Sequence, residues 1–247
     1  MYQIKCSEVW GGIQNQDLDA CSSVMTTSLY SGASTGGKGG DIYYYSVCRG
    51  DMITRVALAD VVGHGEGVSR ISQWLYSGLQ EKMNGVDGSE ILVDLNRLAI
   101  ERGHEAMTTA AVISFLKPES NVYYAYAGHH PMMLRRRGEP HWQVVLLEAG
   151  SAALANLPLG IDAATRYDQQ FVPVRSGDRV LLYTDGVTET PAPDGQLFGA
   201  ERLRAVLDEV GDKSLYELKT AVLTRLREFA GGDLTHDDVT LLAIEVR

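Results

Sequence analysis

The sequence predicts an α+β fold in which pairs of helices cover sheets, and three observations predict it. Strand-type and helix-type patterns follow one another as strands, two helices, strands, two helices and a strand. The chain has 247 residues, 45% of them hydrophobic, which is enough for a sizeable core. No internal repeat, low-complexity tract or domain boundary interrupts it, so residues 1–247 are expected to form one domain.

Residues 1–10 and 23–30 each read as a strand, separated by a polar loop containing Gly11-Gly12. The run Ser31 to Gly40 holds five glycines and reads as loop at the edge of the same domain. It ends in Gly39-Gly40-Asp41, after which Ile42 to Cys48 is tyrosine-rich and strand-like. Arg49-Gly50-Asp51 is a turn into Val56-Ala57-Leu58-Ala59-Asp60-Val61-Val62-Gly63-His64-Gly65, a continuous apolar strand that exits into a glycine turn. A hairpin of these two strands puts Asp41 and Asp60 at the same end of antiparallel neighbours.

Val68, Ile71, Leu75 and Leu79 recur at helical spacing, as do Ile91, Leu92, Leu95, Leu98 and Ala99. Ser89 is the expected N-cap of the second helix, and Asn84-Gly85 with Asp87-Gly88 makes a short link, so the helices form an antiparallel pair. Thr109–Leu116, Val122–Ala127, Met132–Arg136 and Trp142–Leu147 read as an antiparallel meander, and Gly150 to Thr165 as irregular. Phe171–Val174 and Val180–Tyr183 are further strands, the second running into Thr184-Asp185-Gly186. Leu203, Val206, Leu207 and Val210 mark a third helix. Ser214 with Glu217 is a capping box for a fourth, which Gly231-Gly232 stops. Thr235-His236-Asp237-Asp238 leads into a last strand, Val239 to Val246.

The net charge is −10, and no basic run exceeds Arg135-Arg136-Arg137. Nucleic acid and anionic membrane surfaces are therefore not expected partners. Cys6, Cys21 and Cys48 are odd in number, lack metal-type spacing and read as small structural residues. The N-terminus has no basic region followed by an apolar one, and no segment is long and apolar enough to span a bilayer, so a reducing cytoplasm is the expected location.

Asp41, Asp60, Asp185 and Asp237 each sit at a strand end beside glycine or another carboxylate. Singly, each is an ordinary turn residue. Together they repeat one pattern from four separate places, and gathered carboxylates repel unless something positive lies among them. Hard divalent ions such as Mg²⁺ or Mn²⁺ suit an all-carboxylate site, whereas Zn²⁺ prefers His and Cys. Adjacent side chains on a strand point to opposite faces, so His129-His130 is read as structural and not as a shared metal site.

Gly39-Gly40-Asp41, Asp60-Val61-Val62-Gly63-His64-Gly65, Met107-Thr108-Thr109-Ala110, Ala127-Gly128-His129, Tyr183-Thr184-Asp185-Gly186 and Asp237-Asp238-Val239-Thr240 occur in this order. Over roughly residues 36–247 the chain thus resembles the PP2C-type (PPM) metal-dependent serine/threonine phosphatases, in the bacterial branch of SpoIIE and RsbU; the match is weakest over residues 1–35. The resemblance implies an αββα sandwich, two antiparallel sheets flanked by helix pairs, with a dinuclear Mg²⁺ or Mn²⁺ site at one end. It implies that Asp60 bridges both ions, that the Val61 carbonyl binds one, that Asp185 and Asp237 hold the other, and that Asp41 ligates directly or through water. Asp238 is carried over as a neighbour that orients the site.

His64 is the candidate general acid, nearest in sequence to the bridging Asp; the competing reading is a histidine that only hydrogen-bonds in the turn. The family's eukaryotic members place this histidine two residues after the Asp, and here it lies four after. Tyr43, Tyr44 and Tyr45 stand where a second acidic residue often follows the Gly-Gly-Asp. Lys38 is read as a solvated loop lysine.

The implied activity is hydrolysis of phosphoserine or phosphothreonine on a bacterial regulatory protein, of which a small STAS-type anti-anti-sigma domain is the family's example. Regulation is expected to come in trans, through an activator, or to be absent. The alternatives are a catalytically silent binding module on the same fold and a small-molecule phosphoesterase.

Overall fold

The computed structural model describes residues 1–48, 50–83, 85–148 and 155–247. Strands β1 (Tyr2–Gln3), β2 (Val9–Gln14), β3 (Gln16–Cys21), β4 (Met25–Gly32), β5 (Lys38–Cys48) and β6 (Ile53–Val61) precede helices α1 (Ser69–Lys82) and α2 (Gly88–Arg102). Then come β7 (Thr108–Leu116), β8 (Asn121–Ala127), β9 (Met133–Arg135), β10 (Gln143–Val144), β11 (Gln169–Pro173) and β12 (Arg179–Tyr183). A short helix α3 (Asp185–Thr188), helices α4 (Gly199–Val210) and α5 (Leu215–Ala230) and strand β13 (Val239–Val246) complete the chain.

The strands form two sheets, ordered β1-β3-β4-β13-β12-β9-β10 and β11-β8-β7-β6-β5-β2. Their pairings are antiparallel apart from the edge pair β1–β3. Period-two alternation explains how they stack. Tyr43, Tyr45 and Val47 of β5, Val56 and Leu58 of β6, and Leu242 and Ile244 of β13 fill the space between the sheets. Ile42 and Tyr44 of β5 and the small Ala57 and Ala59 of β6 face the other way, onto Leu75 and Leu79 of α1 and Leu92 and Leu95 of α2. Leu241 and Ala243 of β13 meet Leu203 and Leu207 of α4 and Leu218, Val222 and Leu226 of α5. The result is the α+β sandwich, helix pair, sheet, sheet, helix pair, that the sequence leads one to expect.

The helix ends follow local chemistry. Ser214 Oγ accepts from the Glu217 N–H at 3.2 Å while Glu217 Oε2 accepts from the Ser214 N–H at 2.9 Å, and Gly231 closes α5 at φ 72°. Helix α2 is capped by Asp87, whose carboxylate accepts from Ser89 and Glu90, and not by Ser89 as expected; the Asp87 side chain, two residues earlier and just outside the helix, takes the orphan N–H groups.

Other expectations are corrected. Gly11 and Gly12 lie inside β2 and not in a loop: Gly11 passes so close to the Tyr43 carbonyl and the Tyr76 ring that a Cβ would collide. The glycine-rich loop is shorter than expected, because β4 runs to Gly32 and β5 starts at Lys38. The meander stops at β8, since β9 and β10 belong to the other sheet, where β9 pairs with β12 and β10 with β9. Of Trp142–Leu147 only Gln143–Val144 is strand, and Trp142 is buried instead against α4 and α5. Arg49, Asn84 and part of the 150–165 stretch lie outside the described residues. Among the described residues no helix is long and apolar enough to cross a membrane.

Candidate active site

Asp41 and Asp60 are direct register partners across β5 and β6, and Thr109 of β7 faces Asp60 from the other side. Alternation fixes their direction. Tyr43, Leu58 and Ala111, two residues along each strand, point between the sheets, so Asp41, Asp60 and Thr109 do too, at one end of the sandwich. Across the gap the seven-stranded sheet delivers Thr184 and Asp185 where β12 ends, and Asp237, Asp238 and Thr240 where β13 begins.

The two halves are joined by hydrogen bonds. Thr184 Oγ1 donates to Asp41 Oδ2 at 2.8 Å, and the Thr240 N–H donates to Thr184 Oγ1 at 3.0 Å. Asp41 is only 3% exposed, and its other oxygen, Oδ1, is buried with no hydrogen-bond partner. Burial drives the Asp41 carboxyl above the usual carboxylate range, against the pull of the Thr240 and Thr184 hydroxyls and with the charges of Asp238 and Asp185 adding to the rise. Asp60 is raised further, first by burial and then by Asp41, Asp185, Asp237 and Asp238. Asp237 is raised by burial as well, with Asp185 and Asp238 adding and its bond from the Asp238 N–H opposing.

The donor set is entirely oxygen, the chemistry of hard divalent cations. Among the described residues, no group of three or more His, Cys, Asp or Glu side chains is already drawn together in a form that would hold an ion. Buried carboxylates repel one another when ionised, and positive charge between them favours their closer approach.

Asp238 does different work. It is 2% exposed, and it accepts from the backbone N–H groups of Ser34 at 2.7 Å, Gly40 at 2.5 Å and Gly65 at 2.9 Å. One carboxylate thus pins the β4–β5 connection, the strand leading to Asp41 and the turn after Asp60. Side chains would block this packing: a Cβ on Gly39 would run into the Asp238 carboxylate, and one on Gly186 into the Asp238 carbonyl. The Val61 carbonyl lies beside Gly40, 2.9 Å from where a Cβ there would stand.

His64 is exposed in the turn after β6, with Nδ1 3.1 Å from Ser34 Oγ. Lys38 is exposed at the start of β5. Tyr43 and Tyr45 fill the inter-sheet core and Tyr44 the helix-side core, which explains why apolar bulk follows Gly-Gly-Asp here. His129 and His130 follow β8 with their rings edge to face, 6.4 Å between centroids, and take different partners: His129 Nδ1 lies 2.8 Å from Thr109 Oγ1, while His130 stacks on Tyr183 at 5.3 Å between centroids.

Sequence reasoning gave no role to Thr184, Thr109 or His129, although each lies in a motif it singled out. The signal was a hydroxyl next to, or in register with, an acidic strand end, and register is visible only once strands are paired.

A family model described as stage II sporulation protein E (SpoIIE) matches residues 50–247. The chain is 27% identical over 203 residues to phosphoserine phosphatase RsbU of Bacillus subtilis (strain 168), which covers 81% of this chain and 58% of that protein. It spans between 22% and 58% of the length of the curated relatives it matches. Among solved structures, the RsbU and RsbW domains of a Mycobacterium tuberculosis protein match with a TM-score of 0.76 and 21% identity, covering 96% of this chain and 61% of that one. The SiaA-PP2C domain of Pseudomonas aeruginosa matches with a TM-score of 0.75 and 20% identity, covering 89% of this chain and 85% of that one. At these identities the structural likeness is one of fold.

Proposed function

The chain belongs to the SpoIIE family and is PP2C-like, and from that premise we propose that it is a metal-dependent phosphatase acting on phosphoserine or phosphothreonine of a regulatory protein. The observation that carries this reading is the facing pair Asp41 and Asp60, with a buried Asp41 Oδ1 that has no hydrogen-bond partner of normal geometry among the described residues. An orphaned carboxylate oxygen is costly, and the all-oxygen surroundings favour Mg²⁺ or Mn²⁺ as what offsets the cost.

In this reading Asp60, the Val61 carbonyl, Asp185 and Asp237 would hold the ions, with Asp60 shared between them and Asp41 helping directly or through water. The ions would lower the pKa of a water enough to make hydroxide near neutral pH, and would screen the phosphate from the acidic chain. The remaining work falls to the protein. Thr184 fixes the rotation of Asp41 through its hydroxyl. Asp238 holds the backbone of Gly40 and Gly65, and through them the spacing of Asp41 and Asp60.

The water oxygen bonds to phosphorus in line as the ester P–O bond breaks. The departing serine or threonine oxygen takes up a proton, for which His64 is the candidate donor, with Ser34 Oγ steadying Nδ1. Cysteine chemistry has no part: Cys48 ends β5 at the pole opposite Asp41, and Cys21 ends β3 opposite Thr26.

The phosphoprotein is a STAS-type anti-anti-sigma domain in this reading, the enzyme works in the cytoplasm as one domain of residues 1–247, and its activator acts in trans. The test is turnover of phosphorylated STAS domains against nucleotides and sugar phosphates, with Mn²⁺ present. Release of phosphate from one or more STAS proteins is expected. Turnover of small phosphoesters alone would replace the protein-phosphatase reading.

A further inference from the structure

The row Asp41–Asp60–Thr109 does not end at the β7 edge of the acidic cluster: Thr109 Oγ1 lies 2.8 Å from Nδ1 of His129. Resting on the phosphatase reading, we propose that Thr109, held by His129, is a positioning residue for the attacking water, hydrogen-bonded to it beside Asp60.

His129 is 7% exposed, and burial first, with His130 adding, holds its pKa down at about 3, so the imidazole is neutral and carries one N–H. Its Nε2 is buried with no hydrogen-bond partner among the described residues, so the ring is held through Nδ1, 2.8 Å from Thr109 Oγ1. Stacking of His130 on Tyr183 holds the neighbouring residue in place. The contact to Nδ1 fixes the rotation of the Thr109 hydroxyl and leaves its oxygen further hydrogen-bonding capacity, which a water beside Asp60 can take up.

Position agrees with this. Thr109 and Asp60 are both part-exposed, and facing residues on paired strands hold their Cβ atoms about 5 Å apart, a span one water bridges. A water hydrogen-bonded to Thr109 has its orientation fixed. Its oxygen forms the new bond to phosphorus while the ester oxygen leaves, as in the hydrolysis above.

The test compares wild type with Thr109→Val, Thr109→Ala, Thr109→Ser, His129→Leu and His129→Gln, using p-nitrophenyl phosphate with Mn²⁺ and, separately, Mn²⁺ titration calorimetry. Thr109→Val and Thr109→Ala are expected to lose about 10–100-fold in kcat, with KM and Mn²⁺ affinity within about two-fold of wild type. Thr109→Ser should restore most of the loss, and His129→Gln, whose amide oxygen still accepts, should outperform His129→Leu. Either folded Thr109 variant keeping wild-type kcat would overturn the proposal, as would a loss of Mn²⁺ affinity that accounts for the lost rate. A wild type inactive on every phosphoester would bring down the phosphatase reading and this inference together, an outcome distinct from an active wild type with indifferent Thr109 variants.

Discussion

The Thr184 hydroxyl donates to Asp41 Oδ2 at 2.8 Å and so ties the end of β12 in one sheet to the acidic strand end of the other. Its own oxygen accepts from the Thr240 N–H at 3.0 Å, which leaves Thr184 no freedom to rotate away. Replacing Thr184 by Val keeps the shape and removes both bonds inside a buried cluster. We expect a loss of about 1–3 kcal/mol in urea unfolding, with Thr184→Ser close to wild type. A Val variant as stable as wild type would show that Asp41 does not depend on this partner.

Asp60 is the carboxylate most opposed by its neighbours, through burial and the charges of Asp41, Asp185, Asp237 and Asp238. Asp60→Asn replaces that carboxyl with an amide that never ionises among them. In EDTA the variant should therefore melt a few degrees above wild type, although it should hydrolyse nothing. Added Mn²⁺ should raise the melting temperature of wild type and leave the variant nearly unmoved. An Asn variant that melts lower in EDTA would contradict the repulsion.

Asp238 serves three backbone donors at once, from Ser34, Gly40 and Gly65. Hydrogen bonds to a charged group are the stronger kind, and removing one partner strands the others. Asp238→Ala should cost about 2–4 kcal/mol and speed hydrogen exchange at Gly40 and Gly65, with Asp238→Asn intermediate. Unchanged exchange at both glycines would remove Asp238 from its proposed orienting role.

His129 gives the stability a defined pH slope. Its folded pKa lies at about 3, below the ordinary histidine value near 6.5. Above about 6.5 both folded and unfolded states are neutral, and the full contribution is present. As pH falls from there toward 3 the unfolded state takes the proton first, and stability drops by a few kcal/mol from this group. The difference in unfolding free energy between wild type and His129→Gln should shift in that window and be flat above pH 7. A difference independent of pH from 8 to 4 would mean that His129 is not buried neutral.

Much of this was legible in the sequence because it rests on local periodicity. The alternation through Tyr43, Tyr45, Val56 and Leu58 and the Ser214–Glu217 box each encode their own element. The facing of Asp41 and Asp60 followed from a hairpin, the one tertiary contact that sequence neighbours specify. What was not legible depends on pairings between distant segments. Met133–Arg135 has the same strand pattern in either sheet, and only the packed core decides that it joins β12. Gly11 looks like a loop residue until the Tyr43 carbonyl is seen against it. Thr184 and His129 carry no sequence mark of their partners, which stand 143 and 20 residues away.

The central claim, that these aspartates make a metal-dependent phosphatase, is tested most directly by p-nitrophenyl phosphate hydrolysis in Mn²⁺, in Mg²⁺ and in EDTA, for wild type, Asp60→Asn and Asp185→Asn. Turnover that requires a metal and is lost by at least 100-fold in both folded variants is the predicted result. Turnover that survives EDTA, or that either Asn variant retains, would contradict the account.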